Sequence, residues 1–167
     1  MKKIIAFLIS TVMIVTMFSS TIFTVNAEEN NPLADGIIVS ETTEYLSDGT
    51  SITTIVMDTT NITTYGTTYT KTGSAAKIAR NDKGQELWRI TVNGTFSVNA
   101  GVSATCTKVS HSYTITDTAW QNESISSSKS ANIASATGKF IRKVLFVTVE
   151  TREATATLTC DKNGNLS

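Results

Sequence analysis

Serines and carboxylates are plentiful in this 167-residue chain, but histidine and cysteine are scarce, and their spacing says what each would do. His111 is the only histidine, so a multi-histidine zinc site within one chain is excluded, and any serine-histidine-carboxylate arrangement must use it. Ser110 and Ser112 flank it and Asp117 follows, which supplies a nucleophile, a base and an orienter by type, but no nucleophile elbow accompanies them. The plainer reading is a histidine satisfied on a strand. Glu123 with Asp117 would serve as a hydrolytic carboxylate pair only across a cleft that nothing in the sequence foretells. The closing "DKNGN", Asp161 to Asn165, spaces oxygens like the opening of a calcium loop. A full loop runs on to a bidentate Glu at its twelfth position, whereas this sequence ends at Ser167, so an Asn-Gly turn after a last strand is the expectation. No catalytic residue, cofactor or metal is expected.

The remaining candidates are sulfur and aromatic side chains. Cys106 and Cys160 lie 54 positions apart and allow a single intrachain pairing. In an oxidising compartment such a pair is expected as a disulfide, which would restrict the unfolded chain by roughly 3 to 5 kcal/mol; two reduced thiols are the alternative. Trp88 and Trp120 would stack on a sugar if exposed, but tryptophans in strand patterns more often build cores. Trp120, Tyr65 and Tyr69 stand as candidate ligand contacts, the tyrosines within the Thr-rich "TTNITTYGTTYTKTG", which reads as an open edge for a partner or as an ordinary exposed strand.

The compartment follows from the other end of the chain. "MKK" is a basic start, "IIAFLISTVMIVTMF" an apolar run, and "TVNA" a small-residue cleavage site ending at Ala27, so residues 1–27 read as a signal peptide. A membrane anchor is the competing reading of the same run. The rest, beginning at Glu28, would hold 140 residues, enough for one domain with a core. Without Lys2 and Lys3 it carries 12 basic and 14 acidic residues, a formal charge of −2 with the histidine neutral. That balance offers no electrostatic case for nucleic acid or an anionic bilayer. Hydroxyls carry the solubility: 26 Thr and 15 Ser follow Ala27. Threonine's branched Cβ suits a pleated surface, so an all-β protein is expected.

The elements that must position these residues are short strands. Residues 28–49 read as an arm or first edge element, with "GIIVS" strand-like, and residues 50–167 as a single β domain. "SAAKIARNDKGQE" is one helical turn or a strand followed by the "NDKG" turn. In "ELWRITVNGTFSV", Trp88, Ile90, Val92, Phe96 and Val98 alternate with polar residues on both sides of Asn93-Gly94, which predicts a hairpin turning there and one shared buried face. Val102, Ala104 and Cys106 alternate inward, after which the parity switches to Val109, His111, Tyr113 and Ile115; a bulge near 107–109 would do that. Residues 117–138 suggest a strand of small residues and a loop, with a helix over 128–137 as an alternative. "KFIRKVLFVTVE" is apolar on both parities from Val144 to Val149, the mark of a strand covered on both sides, and is expected to turn near Thr151-Arg152 into "EATATLTC". There Ala154, Ala156, Leu158 and Cys160 form an inward row. Cysteines ending two inward rows suit a staple. The fold class is therefore all-β: an antiparallel β-sandwich or a partly open barrel, disulfide-stapled.

"WRITVNGTFSVNAGVSATC", then "TDTAW" and the closing "TLTCDKNGNLS" resemble a group of small exported proteins of Gram-positive bacteria (Firmicutes) of uncharacterised function. The likeness covers Glu86 to Ser167. It implies an exported all-β domain with a disulfide and brings no catalytic residue. The function expected is that of a secreted, non-enzymatic β domain recognising an extracellular protein or glycan, with a secreted hydrolase or an enzyme inhibitor as the alternative. No nucleic-acid partner is expected, and no membrane after signal cleavage; the oligomeric state is open.

Overall fold

Eight strands run through residues 36–60 and 67–167, the residues that the computed structural model describes. The signal peptide expected over 1–27, the start of the arm and Tyr65 lie outside them. The strands are β1 (Ile37–Tyr45), β2 (Ser51–Asp58), β3 (Thr68–Arg80), β4 (Glu86–Asn99), β5 (Ser103–Ile115), β6 (Trp120–Ser130), β7 (Ile133–Val144) and β8 (Val147–Thr159). All pairs are antiparallel between sequence neighbours: β1 to β5 form a five-stranded sheet, β6 to β8 a three-stranded one. Period-two burial explains how they pack. Val56, Ala75, Ala79, Trp88, Ile90, Val92, Phe96 and Val98 from the large sheet and Ala134, Ala136, Phe140, Ala156 and Leu158 from the small one share one core. The architecture is a sandwich, with β1 an edge strand exposed along its whole length.

Large and small residues interlock across the core. Trp88 and Phe140 stack face to face across the two sheets, and Trp120 meets Trp88 edge-on. Gly73 and Gly94 are direct partners between β3 and β4. A Cβ on Gly94 would press on the Phe96 ring at 2.8 Å and on Leu158 at 3.0 Å, and one on Gly73 would collide with Leu166. Both positions are floor under larger side chains.

That packing role accounts for the first correction. The hairpin expected at Asn93-Gly94 does not form: β4 runs straight through, with Asn93 opposite Ser74 and Ser110. The expected shared face survives, since Trp88, Ile90, Val92, Phe96 and Val98 are all buried. The parity switch also occurs, because the register between β4 and β5 slips between the pairs Thr95–Lys108 and Phe96–Cys106, leaving Thr107 as the extra residue. Residues 74–80 are strand, closed by a turn over 81–85, and residues 128–137 are strand, turn and strand rather than helix.

The disulfide staple is the second correction. Cys106 and Cys160 are both buried free thiols. Each directs its Sγ at a nearby carbonyl, Cys106 toward Lys108 at 3.3 Å and Cys160 toward Asp161 at 3.6 Å. What ties the sheets together here is a turn. The Cys106 amide donates to the Ala131 carbonyl at 2.7 Å and the Cys160 amide to the Asn132 carbonyl at 3.0 Å, while Asn132 Nδ2 donates to the Cys160 carbonyl at 2.7 Å. The β6–β7 turn is thereby gripped between β5 and the end of β8. Burial, with the Asp161 carboxylate beside it, pushes the Cys160 thiol up to about 11, and burial pushes Cys106 up as well, so both stay protonated at neutral pH.

Candidate functional site

The run Val144 to Val149 is not a strand covered on both sides, and the chain does not turn at Thr151-Arg152. Val144 pairs with Val147, so the turn is the two residues Leu145 and Phe146 at the centre of the apolar run. Leu145 is 87% exposed and Phe146 97%; Val144, Val147 and Val149 are exposed beside them. This grouping of exposed apolar side chains makes the turn the candidate interaction surface.

The turn's backbone makes the residue choice stranger. Leu145 has φ 47° and Phe146 φ 70°, the positive pair that a two-residue hairpin turn requires and that Asn-Gly meets at least cost. A side chain with a Cβ costs roughly 1–2 kcal/mol per residue there. The sequence holds two Asn-Gly pairs and places neither at this turn: one lies within β4, the other in the C-terminal turn.

A firm base carries this tip. Trp120 pairs with Arg142, and the Lys143 amide donates to the Ala119 carbonyl at 3.0 Å; past Lys143 the β7–β8 ribbon has no third strand among the described residues. The register slips between Arg142 and Lys143, leaving Val149 as a bulge that re-aims the ribbon. At the base, Arg152 donates from Nε to Glu150, from Nη1 to Thr50 Oγ1 at 2.9 Å and from Nη2 to Asp48. Its guanidinium lies 6.0 Å from the centre of the Trp120 ring. Hydrogen bonds from the Thr50 hydroxyl and amide, and then Arg152, hold the Asp48 carboxyl down to about 2.

The residues singled out by type have other duties. Trp120 is 3% exposed and belongs to the core, not to a ligand surface. Tyr69 donates its hydroxyl to the Asn163 carbonyl at 2.9 Å, and its ring fills the space a Cβ on residue 164 would need. His111 Nδ1 is hydrogen-bonded to Ser127 Oγ at 2.9 Å, a link from β5 to β6 rather than to Ser110 or Ser112. Asp117 accepts from the Ala119 amide at 2.9 Å, and Glu123 pairs with Lys139 at 2.7 Å. In the tail, Asp161 Oδ1 accepts from the amides of Asn163 and Asn165 and Oδ2 from Asn165 Nδ2, each at 2.8 Å. These donors, led by Asn165, lower the Asp161 carboxyl. Its oxygens are thus engaged by their own turn, and the chain then returns to pair Cys160 with Leu166, which is buried in the core. Among the described residues no three His, Cys, Asp or Glu side chains group as a metal site would.

Sequence reasoning missed the tip because apolar residues on both parities fit two situations: a strand enclosed on both faces, and a turn exposed on every side. One signal separates them. The inward rows are opposed, Ala134 to Leu158, Ala136 to Ala156 and Gly138 to Ala154, when the chain folds back at residues 145–146 and Val149 is bulged, whereas a turn at Thr151-Arg152 would leave Ala154, Ala156 and Leu158 facing other residues.

No protein-family model matches this chain, and neither does any curated protein or solved structure. The likeness to exported Firmicutes proteins rests on the quoted residues alone.

Proposed function

We propose that this chain is an exported, non-enzymatic β domain that recognises a target outside the cell through the β7–β8 tip. The observation that carries the reading is the exposed Leu145-Phe146 turn, held in a conformation those residues disfavour. Strain of this kind persists where the surrounding structure imposes it and clusters at functional sites. Export is supported by the leader-like residues 1–27 and by the hydroxyl-rich remainder. The apolar tip favours a target with apolar surface over a sugar, whose recognition needs an aromatic plane flanked by hydrogen-bonding groups. A narrow tip on an anchored base also suits the blocking of an enzyme's cleft, which makes inhibition the second reading.

Arrays of extracellular proteins, glycans and peptidoglycan fragments, probed with the chain from Glu28 onward, test the proposal beside a variant in which Leu145→Asn and Phe146→Gly are combined. Binding lost in the variant supports recognition by the tip. Hydrolysis of an arrayed polymer by both proteins alike would overturn the non-enzymatic reading.

A further inference from the structure

The target's chemistry can be narrowed from the shape of the tip, on the reading that the tip is the binding surface. We infer that the β7–β8 tip inserts into the interfacial region of a lipid bilayer.

Enclosure is the first ground. Leu145 and Phe146 are bare on every side, with exposed valines on both strands behind them. A flat protein surface would cover such a point on one side only, whereas the headgroup and acyl boundary closes around it. Depth is the second. From Lys143 to the apex is two residues, about 7 Å at roughly 3.3 Å per residue, and apolar anchors sit about 5–10 Å into the boundary.

Charge placement is the third. Lys143 lies immediately behind Val144 and makes no salt bridge among the described residues; Arg142, one step further back, faces Glu150 at 3.8 Å. With the tip seated, these cations stand at the level of the lipid phosphates, where long basic side chains favourably extend. The near-neutral composition, which argued against an anionic membrane at long range, does not bear on a contact that is apolar and local.

Cosedimentation with sucrose-loaded vesicles tests the inference, using phosphatidylcholine alone and phosphatidylcholine mixed with phosphatidylglycerol. The chain from Glu28 onward is expected to pellet with both, more strongly with the mixture. L145N/F146G should weaken its partitioning by roughly tenfold or more. Lys143→Gln should weaken binding to the mixture by about fivefold and leave phosphatidylcholine binding nearly unchanged. Val102→Asn, at the β4–β5 turn remote from the tip, serves as the folded control and should bind as the parent does. Failure of the parent to pellet with either vesicle, or equal pelleting of parent and L145N/F146G, would overturn the bilayer as target. Tip-dependent array binding without vesicle binding would do the same while leaving recognition by the tip intact, and a tip-dependent dimer in sedimentation velocity without vesicle binding would assign the surface to a second copy.

Discussion

Trp88 on β4 and Phe140 on β7 lie with ring centroids 4.1 Å apart and planes 6° from parallel, a stacked contact between the two sheets' inner faces. Both are fully buried, and the rest of the core packs around them. Phe140→Ala removes one half of the stack and leaves a cavity beneath Trp88, for which about 3–5 kcal/mol of lost stability is expected in urea denaturation. A loss under 1 kcal/mol would mean that the two sheets do not depend on this contact.

The thiols give a second test. Alkylation after unfolding, without reductant, should label both cysteines, and alkylation of the folded protein should be slow at both because they are buried and protonated. Reductant should leave the melting temperature unchanged. An intact mass showing neither cysteine labelled after unfolding would contradict the free-thiol arrangement.

The C-terminal turn depends on a close fit between Tyr69 and Gly164, whose φ is 84°. Gly164→Ala is expected to destabilise by about 1 kcal/mol or more from the backbone conformation alone, with the collision against the tyrosine hydroxyl in addition. Tyr69→Phe removes that hydroxyl and its hydrogen bond at a cost of about 1 kcal/mol. In the Tyr69→Phe background the further cost of Gly164→Ala should shrink, a coupling that a double-mutant cycle in urea reads directly. Strict additivity would show that the ring does not police the turn.

Acid should loosen the base of the hairpin. The folded Asp48 carboxyl sits near 2, below its ordinary value of 3.8. The stability it contributes is therefore present at higher pH and is lost as pH falls from about 4 toward 2. Asp48→Asn should lower the melting temperature at neutral pH and flatten its fall across that window. An unchanged pH profile in the variant would remove Asp48 from the network that holds Arg152.

The inward rows were legible in the sequence, and most turns were not, for a physical reason. A buried row must be apolar at every second residue, so Trp88 to Val98 and Ala154 to Cys160 declared themselves. Turn residues answer to several demands at once. Gly94 carries a turn-former's signature, yet the small space beneath Phe96 and Leu158 needs it, so the Asn-Gly pair lies in mid-strand. Leu145-Phe146 carries no turn signature, yet the register of β7 on β8 places the turn there. Cys160 ends an inward row as expected, whereas of the row expected before Cys106 Val102 is exposed in the β4–β5 turn and Ala104 only half-buried; parity fixes only the face a residue points to, and the β6–β7 turn between the cysteines makes the link by hydrogen bonds.

The central claim is that Leu145 and Phe146 are kept at the tip against the preference of the turn they form. Urea denaturation of L145N/F146G beside the parent tests it most directly. Asn-Gly supplies what a turn with two positive φ values favours, so the variant should be more stable by about 1–2 kcal/mol. A variant equally stable or less stable than the parent would mean that the two side chains support the fold, and would contradict the assignment of the tip to binding.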